Sequence, residues 1–290
     1  MKKLLFIAIL IVMSIDAKSQ TAYIPVYDHS IYVIDVSNDI VTDTINVGWA
    51  PNPVTVSLDG NRAYFAYHWG VGIISTATNT LLDTIQLAGA STAHYGIVVT
   101  PDGSKIYVTN NWASTVSAIF TSSNVVFATI PVLSPWGITV SPDGSKVYVS
   151  SYSISGGISV ISTTTNMVID TISLPSSTYF LCVNPDGSKV YAAGDGGVFV
   201  INTLTDSVHI ITSMSAYGIC ISPDGNKVYF TRCAISNTVG IINTQTDSLI
   251  STIAVGDQPG PISISPDGSK VYVVNQDSYS VSVISTEQIL

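Results

Sequence analysis

Charge is scarce in this chain. Asp, Glu, Lys and Arg make up 10% of its 290 residues, against about 25% in an ordinary globular protein. Glutamate occurs once, as Glu287. Glycosidase-type chemistry needs two carboxylates across a cleft. The aspartates in suitable places, Asp28, Asp195, Asp257 and Asp277, are scattered along the chain, and Asp195 sits inside a tight Gly-Asp-Gly turn. Basic side chains are scarcer still. Beyond residue 19 there are seven, five Lys with Arg62 and Arg232, against eighteen acidic residues, a net charge of −11. Such a surface repels phosphate backbones, which argues against a nucleic-acid partner.

Cysteine is nearly missing too. Cys182, Cys220 and Cys233 are an odd number and include no Cys-x-x-Cys pair, so neither a disulfide framework nor a haem attachment site is indicated. Cys182 and Cys220 hold the same place in successive repeats, facing opposite interfaces, and read as small core residues. Cys233 falls in a loop. No Gly-x-Ser-x-Gly elbow occurs, which removes the usual strained serine nucleophile, and no cofactor is expected. Helical periodicity is absent after the N-terminus, as is any apolar run of the roughly 20 residues that span a bilayer.

The N-terminus reads as a leader. Lys2 and Lys3 precede a short apolar run from Leu4 to Met13, and Ala17-Lys18-Ser19 puts small residues at the −3 and −1 positions of a cleavage site. Residues 1–19 are therefore expected to be a secretory signal peptide cut after Ser19. Residues 20–290 would be the exported domain, outside the cell, at its surface or in a periplasm. No cysteine lies near the cut to anchor a lipid.

What the sequence has in abundance is repetition, which decides the fold before any local reading does. An Asp-Gly turn recurs with its glycine at 60, 103, 144, 187, 225 and 268. A strand centred on tyrosine follows each one (Tyr64, Tyr107, Tyr148, Tyr191, Tyr229, Tyr272), with Tyr23 as a seventh copy lacking the turn. A third segment carries Ile34, Ile74, Ile119, Ile161, Ile201, Ile242 and Ile284. A fourth reads Thr-Ile at Thr44, Thr84, Thr129, Thr171 and Thr252, with a weaker copy near Ile210. Each unit is thus four short β-branched runs separated by turn residues. Four antiparallel strands per repeat of roughly 40–45 residues, six or seven times over, specify an all-β propeller. The turn aspartates suit a tight hairpin and need no calcium to explain them.

The residues Tyr107-Val108-Thr109-Asn110 spell the signature for which YVTN-repeat β-propellers are named. The run Gly137 to Val149 (GITVSPDGSKVYV), then Val-Ser-Val-Ile and Thr-Ile-x-Val, resembles their repeat throughout residues 20–290. The resemblance implies a cell-surface or surface-layer type of propeller, and more distantly a lactonase-like or electron-transfer one. Fold alone does not imply function. Seven second and third strands, but six clear first and fourth strands, favour seven blades. The ring is then either C-terminally truncated or irregularly closed.

Sorting residues by face locates a candidate site. Loops between repeats, and those joining second to third strands, share one face of a propeller; Asp-Gly turns lie on the other. Trp49, Trp69, Trp112 and Trp136 all fall on the first face, as do His29, His68 and His94. The residue before each inner strand is Asn52, Tyr95, Trp136, Tyr179, Tyr217 or Gly260, so four aromatics would rim the channel mouth. Either they present ring faces to a sugar or extended peptide, or they plug the channel. Arg232 is the one basic side chain placed on this face. The three histidines are weak metal candidates, since they come from separate repeats. The opposite face carries Arg62, Lys105, Lys146, Lys189, Lys227 and Lys270, each near a turn aspartate, and reads as charge-balanced and solvated.

The expectation is a non-enzymatic binding or adhesion propeller, presenting Trp49, Trp69, Tyr95, Trp112, Trp136, Tyr179, Tyr217 and Arg232 to a glycan or protein segment. Two alternatives stay open. One is an enzyme or redox-accessory propeller using His68, His94 and Arg232; the other is a structural spacer in a longer envelope protein.

Overall fold

A computed structural model describes residues 12–14, 21–26, 29–87, 94–153, 157–233 and 236–288. They form seven antiparallel sheets, each with its strands in chain order. Blade 1 comprises strands within 12–46, blade 2 within 51–86, blade 3 within 97–131 and blade 4 within 135–173. Blades 5, 6 and 7 lie within 178–212, 219–254 and 259–285. Six have four strands; blade 7 has three, the last being Ser280–Ser285. The first strand of blade 1 is Val12–Ser14, paired antiparallel with Thr21–Tyr23. It supplies the inner strand that the repeat pattern left unassigned, from within the stretch read as a leader. Among the described residues, 27 strands are accompanied by a single turn of 3₁₀-helix at Thr286–Gln288.

Apolar side chains collect between sheets rather than within one. Seven buried clusters fill seven seams, each drawing residues from two neighbouring blades. The cluster of Ala22, Ile24 and Val26 with Tyr272 and Val274 joins blade 7 to blade 1 and closes the ring. Each second-strand tyrosine is almost fully buried.

The repeated residues turn out to be fasteners. Tyr107 donates its hydroxyl to Asn166 at 2.6 Å, and Tyr191 and Tyr272 donate to Asp247 and Asp39 at 2.9 and 2.8 Å. Each acceptor belongs to the hairpin joining third to fourth strand of the next blade, at a residue with positive φ, a conformation in which Asn and Asp are enriched. The basic residues follow the same route. Lys105 reaches the Thr163 carbonyl, Lys189 the Thr244 carbonyl and Asp247, and Lys270 the Val36 carbonyl and Asp39. The row of cations foreseen on this face is thus at least partly a row of bonds between blades.

The Asp-Gly turns are equally structural. Their glycines have φ between 70° and 74°, where a Cβ would be strained. The aspartate accepts a hydrogen bond from the backbone N–H two residues on, as Asp143 does from Ser145 at 3.0 Å. In five turns it also accepts from a hydroxyl that opens the turn, as from Ser141 at 2.5 Å. These donors hold Asp59, Asp102, Asp143, Asp186 and Asp224 below the ordinary carboxylate range, Asp143 down to about 2.

Candidate functional site

The site begins with a backbone irregularity. Pairing of first with second strand skips two residues in blade 4, between Pro135 and Ile138, and in blade 5, between Thr178 and Leu181. Trp136 and Tyr179 sit in those interruptions, where a bulge re-aims a side chain out of the ladder. Hydroxyls on the preceding blade fix them in place. Thr109, from the Tyr-Val-Thr-Asn run, donates to the Trp136 carbonyl at 2.9 Å while accepting from Gly96 N–H, also at 2.9 Å. Ser150 binds Gly137 N–H at 2.8 Å and the Tyr179 carbonyl in the same way. Gly137 must be glycine, because a Cβ there would stand 2.5 Å from the Tyr179 carbonyl oxygen.

The aromatic side chains then meet. Tyr95 and Trp136 stack face to face, centroids 3.6 Å apart and planes 6° from parallel. Trp136 lies 4.8 Å from Tyr152 and 5.9 Å, edge-on, from Tyr179. Tyr179 contacts Tyr152 at 5.5 Å and Tyr217 at 5.0 Å. The five rings form one continuous arc across blades 3 to 6. The edge-on Trp136–Tyr179 contact is of a kind that stabilises by about 0.5–1.5 kcal/mol beyond area burial. Tyr152 is the most open ring, 46% exposed, and the other four are half-buried.

Polar groups border the arc. Tyr179 donates its hydroxyl to Asp195 at 2.7 Å, and that bond together with burial pushes the phenol well above its ordinary pKa. Asp195 lies near Cys233, whose thiol burial and this carboxylate also push up. Among the described residues, Trp136 Nε1 and Arg232 Nε are buried without a protein hydrogen-bond partner.

Tyr95, Trp136, Tyr179 and Tyr217, all foreseen from their register, do converge, but as an arc. Asn52 and Gly260, in the same register, interrupt the ring. Trp49 instead stacks on Tyr67 at 4.7 Å, and Trp69 meets His68 edge-on at 4.7 Å. Trp112 stands 68% exposed. Among the described residues, no ring contact ties these three tryptophans to the arc. Tyr152 was missed. It lies in a loop between second and third strands, outside the register, although Tyr152 and Trp112 are both foreseeable as loop-face aromatics.

The histidines do not gather either. His94 is buried and its Nδ1 donates to the Thr109 carbonyl at 3.0 Å, with burial and nearby His68 favouring the neutral ring. His29 and His68 are exposed. Among the described residues, no three His, Cys, Asp or Glu stand together at metal-binding spacing. All three cysteines are free and half-buried. Cys182 packs on the cluster between blades 5 and 6, Cys220 on that between blades 6 and 7, and burial raises both thiols.

Beneath the arc lies a cavity of about 50 Å³ whose lining includes Pro53, Tyr95, Ile138, Phe180, Ile219 and Ile262, drawn from blades 2 to 7. That is too small for a sugar or peptide. A cavity of about 690 Å³ lies on the opposite face between the turns of blades 2 and 3. A smaller one of about 290 Å³ repeats it between blades 4 and 5, marking a property of the seam.

The comparisons with known proteins bear on the fold. Hydrazine synthase of Kuenenia stuttgartiensis superposes with a TM-score of 0.85 at 20% identity, covering 98% of this chain and 97% of that one. The β-propeller domain of Cps50 (Swd1) from Myceliophteria thermophila superposes with a TM-score of 0.80 at 12% identity, covering 96% and 99%. The architecture is a seven-bladed propeller. No family model matches the chain, and no curated protein matches it. At these identities the neighbours share the fold alone. Among the described residues no helix is long and apolar enough to cross a membrane.

Proposed function

We propose that this chain is a non-enzymatic propeller of the YVTN-repeat type that binds an elongated glycan along the arc of Tyr95, Trp136, Tyr152, Tyr179 and Tyr217. The observation that carries the reading is the continuity of those five rings across four blades, on the face where residues do not repeat. Sugars stack their C–H faces on aromatic rings and bond their hydroxyls to polar groups at the edge. The Asp195 carboxylate and the Tyr179 hydroxyl stand at that edge. An extended surface suits a polymer better than a compact metabolite. Asp195 is the carboxylate bonded to the arc, and it is already engaged by Tyr179, which disfavours paired acid–base catalysis. An extended peptide is the alternative occupant, since aromatic faces also hold peptide side chains.

Trp136 makes the reading testable. Titration of the protein with soluble cell-wall oligosaccharides should give a saturable change in tryptophan fluorescence that Trp136→Ala abolishes while the far-UV spectrum is kept. A saturable response to extended peptides alone would replace the glycan with a protein segment. No response to either, in a folded protein, would refute a binding role for the arc.

A further inference from the structure

A cation beside the arc is left without a counter-charge. On the hairpin face Lys105, Lys189 and Lys270 each reach a carbonyl of the next blade. The two ion pairs among the described residues, Lys189 with Asp247 and Lys270 with Asp39, lie there too. Arg232 has no such engagement. It is half-buried, it enters neither ion pair, and its Nε is buried without a hydrogen-bond partner. Holding a guanidinium partly out of water with no anion beside it is unfavourable, and an anionic group on a ligand would offset that cost.

The strand fixes the side on which Arg232 leaves it. Lys227–Arg232 pairs with Thr238–Asn243 without a register shift, so successive side chains point to opposite faces. Val228 and Phe230 pack with Phe180 and Val198 of blade 5, and Tyr229 packs with Ile262 and Val273 of blade 7. Thr231 follows Tyr229, donating to the Gly260 carbonyl of blade 7 at 2.7 Å. Arg232 therefore leaves toward blade 5, at the connecting-loop end of the row formed by Val228 and Phe230. Tyr179 and Tyr217 pack on the cluster that this row builds. The Tyr217 N–H donates to the Thr231 carbonyl at 3.0 Å, which seats that ring next to the cation. Asp195 stands on the same seam, bonded to Tyr179 and near enough to Cys233 to push its thiol up.

We propose that Arg232 makes the arc selective for a glycan bearing a carboxylate, an acidic sugar seated where Tyr179 and Tyr217 meet. The inference rests on the glycan reading above and adds the charge of the ligand to it. The terminal nitrogens of a guanidinium present parallel N–H donors that match the two oxygens of a carboxylate, while the ring faces hold the sugar. Phosphate fits the same fork. Asp195 is close by, however, and the chain carries a net charge of −9, so a single negative charge meets less repulsion than a doubly charged group. Among the described residues the other six basic side chains all open second strands, on the hairpin face. The charge thus marks one end of the arc and gives the bound glycan a direction.

The probe is an oligosaccharide long enough to span the arc and carrying one uronic acid. Calorimetry compares it with its methyl ester, which has nearly the same shape and no charge. The acid should bind the full chain more tightly than the ester by about fivefold or more, the scale of one partly exposed charge pair. In Arg232→Gln that ratio should fall to about one, while Arg232→Lys should keep part of it, each variant retaining the far-UV spectrum of the parent. Equal binding of acid and ester by the parent, or a preference that survives Arg232→Gln, would overturn the proposal and leave the glycan reading standing. Tighter binding of a phosphorylated counterpart would overturn the assignment to a carboxylate. Binding of neither acid nor ester would refute the glycan reading itself, and this inference with it.

Discussion

The two faces of this ring are made by opposite sequence strategies. On the hairpin face the same residue types return: a turn aspartate with its glycine, a cation, a buried tyrosine, and, in blades 1, 2, 4 and 6, an Asn or Asp that accepts from the tyrosine of the previous blade. On the connecting-loop face almost nothing repeats except a position, and Tyr95, Trp136, Tyr179 and Tyr217 share that position only in blades 3 to 6. Repetition marks residues that every seam needs, because each blade can bury its sheet only against its neighbours. Departure from the repeat marks places where the ring is doing something particular.

If that contrast is right, substitutions on the hairpin side should damage stability, and substitutions on the arc should spare it. The largest effect is expected for Tyr107→Ala, which removes a fully buried ring and its bond to Asn166. A loss of about 3–5 kcal/mol is expected, by analogy with other buried aromatic truncations, read as a lower urea midpoint. Tyr107→Phe should cost about 1 kcal/mol, the scale of a single hydrogen bond.

Asp39→Ala comes next. It takes one acceptor from both Lys270 and Tyr272 at the seam that closes the ring. About 1–2 kcal/mol is expected, the lower part of the range for bonds to charged groups, because Asp39 is more than a third exposed. No shift of the urea midpoint would show that the apolar cluster and the bond from Lys270 to the Val36 carbonyl hold blade 7 to blade 1 without Asp39.

A smaller, distributed effect follows from the turn aspartates. Their folded-state pKa lies below the unfolded value of about 3.9. The sign is therefore fixed: they add stability above that value and lose it as the folded groups protonate. Stability should fall between about pH 4 and the value of about 2 given for Asp143. Each contribution is modest, since these carboxylates are solvent-exposed. Urea midpoints measured across that window should drop, and Asp143→Asn should flatten the drop slightly.

The smallest effect on stability belongs to Tyr152→Ala, within about 0.5 kcal/mol for so exposed a side chain. Its effect on ligand affinity should be several-fold. A stability loss as large as that of Tyr107→Ala would mean that the arc is a structural plug, and the contrast between the faces would fail.

Much of the fold was legible in the sequence, for a physical reason. Strand alternation, turn glycines and a period of about 42 residues are local signals, and seven copies reinforce one another. The inner strand of blade 1 was not legible, because Val12–Ser14 lies in an apolar run that also reads as a leader. Nor were the roles of Lys189 and Tyr191 in bonding to Asp247, since 56 residues or more separate the partners. The shared register does place the rings of Tyr95, Trp136, Tyr179 and Tyr217 in contact with one another. Tyr152 escaped because loop length, which the repeat does not constrain, decides where its ring lands. Trp49 has the opposite history, a loop-face tryptophan whose ring is taken up by Tyr67.

The most direct measurement is affinity against ligand length. Oligosaccharides of one composition and increasing length, titrated by calorimetry, should bind more tightly up to the span of the five rings and then level off. Tyr217→Ala, removing one end of the arc, should move that plateau to a shorter oligomer. Affinity independent of length, or a plateau unmoved by Tyr217→Ala, would contradict the arc as a continuous binding surface.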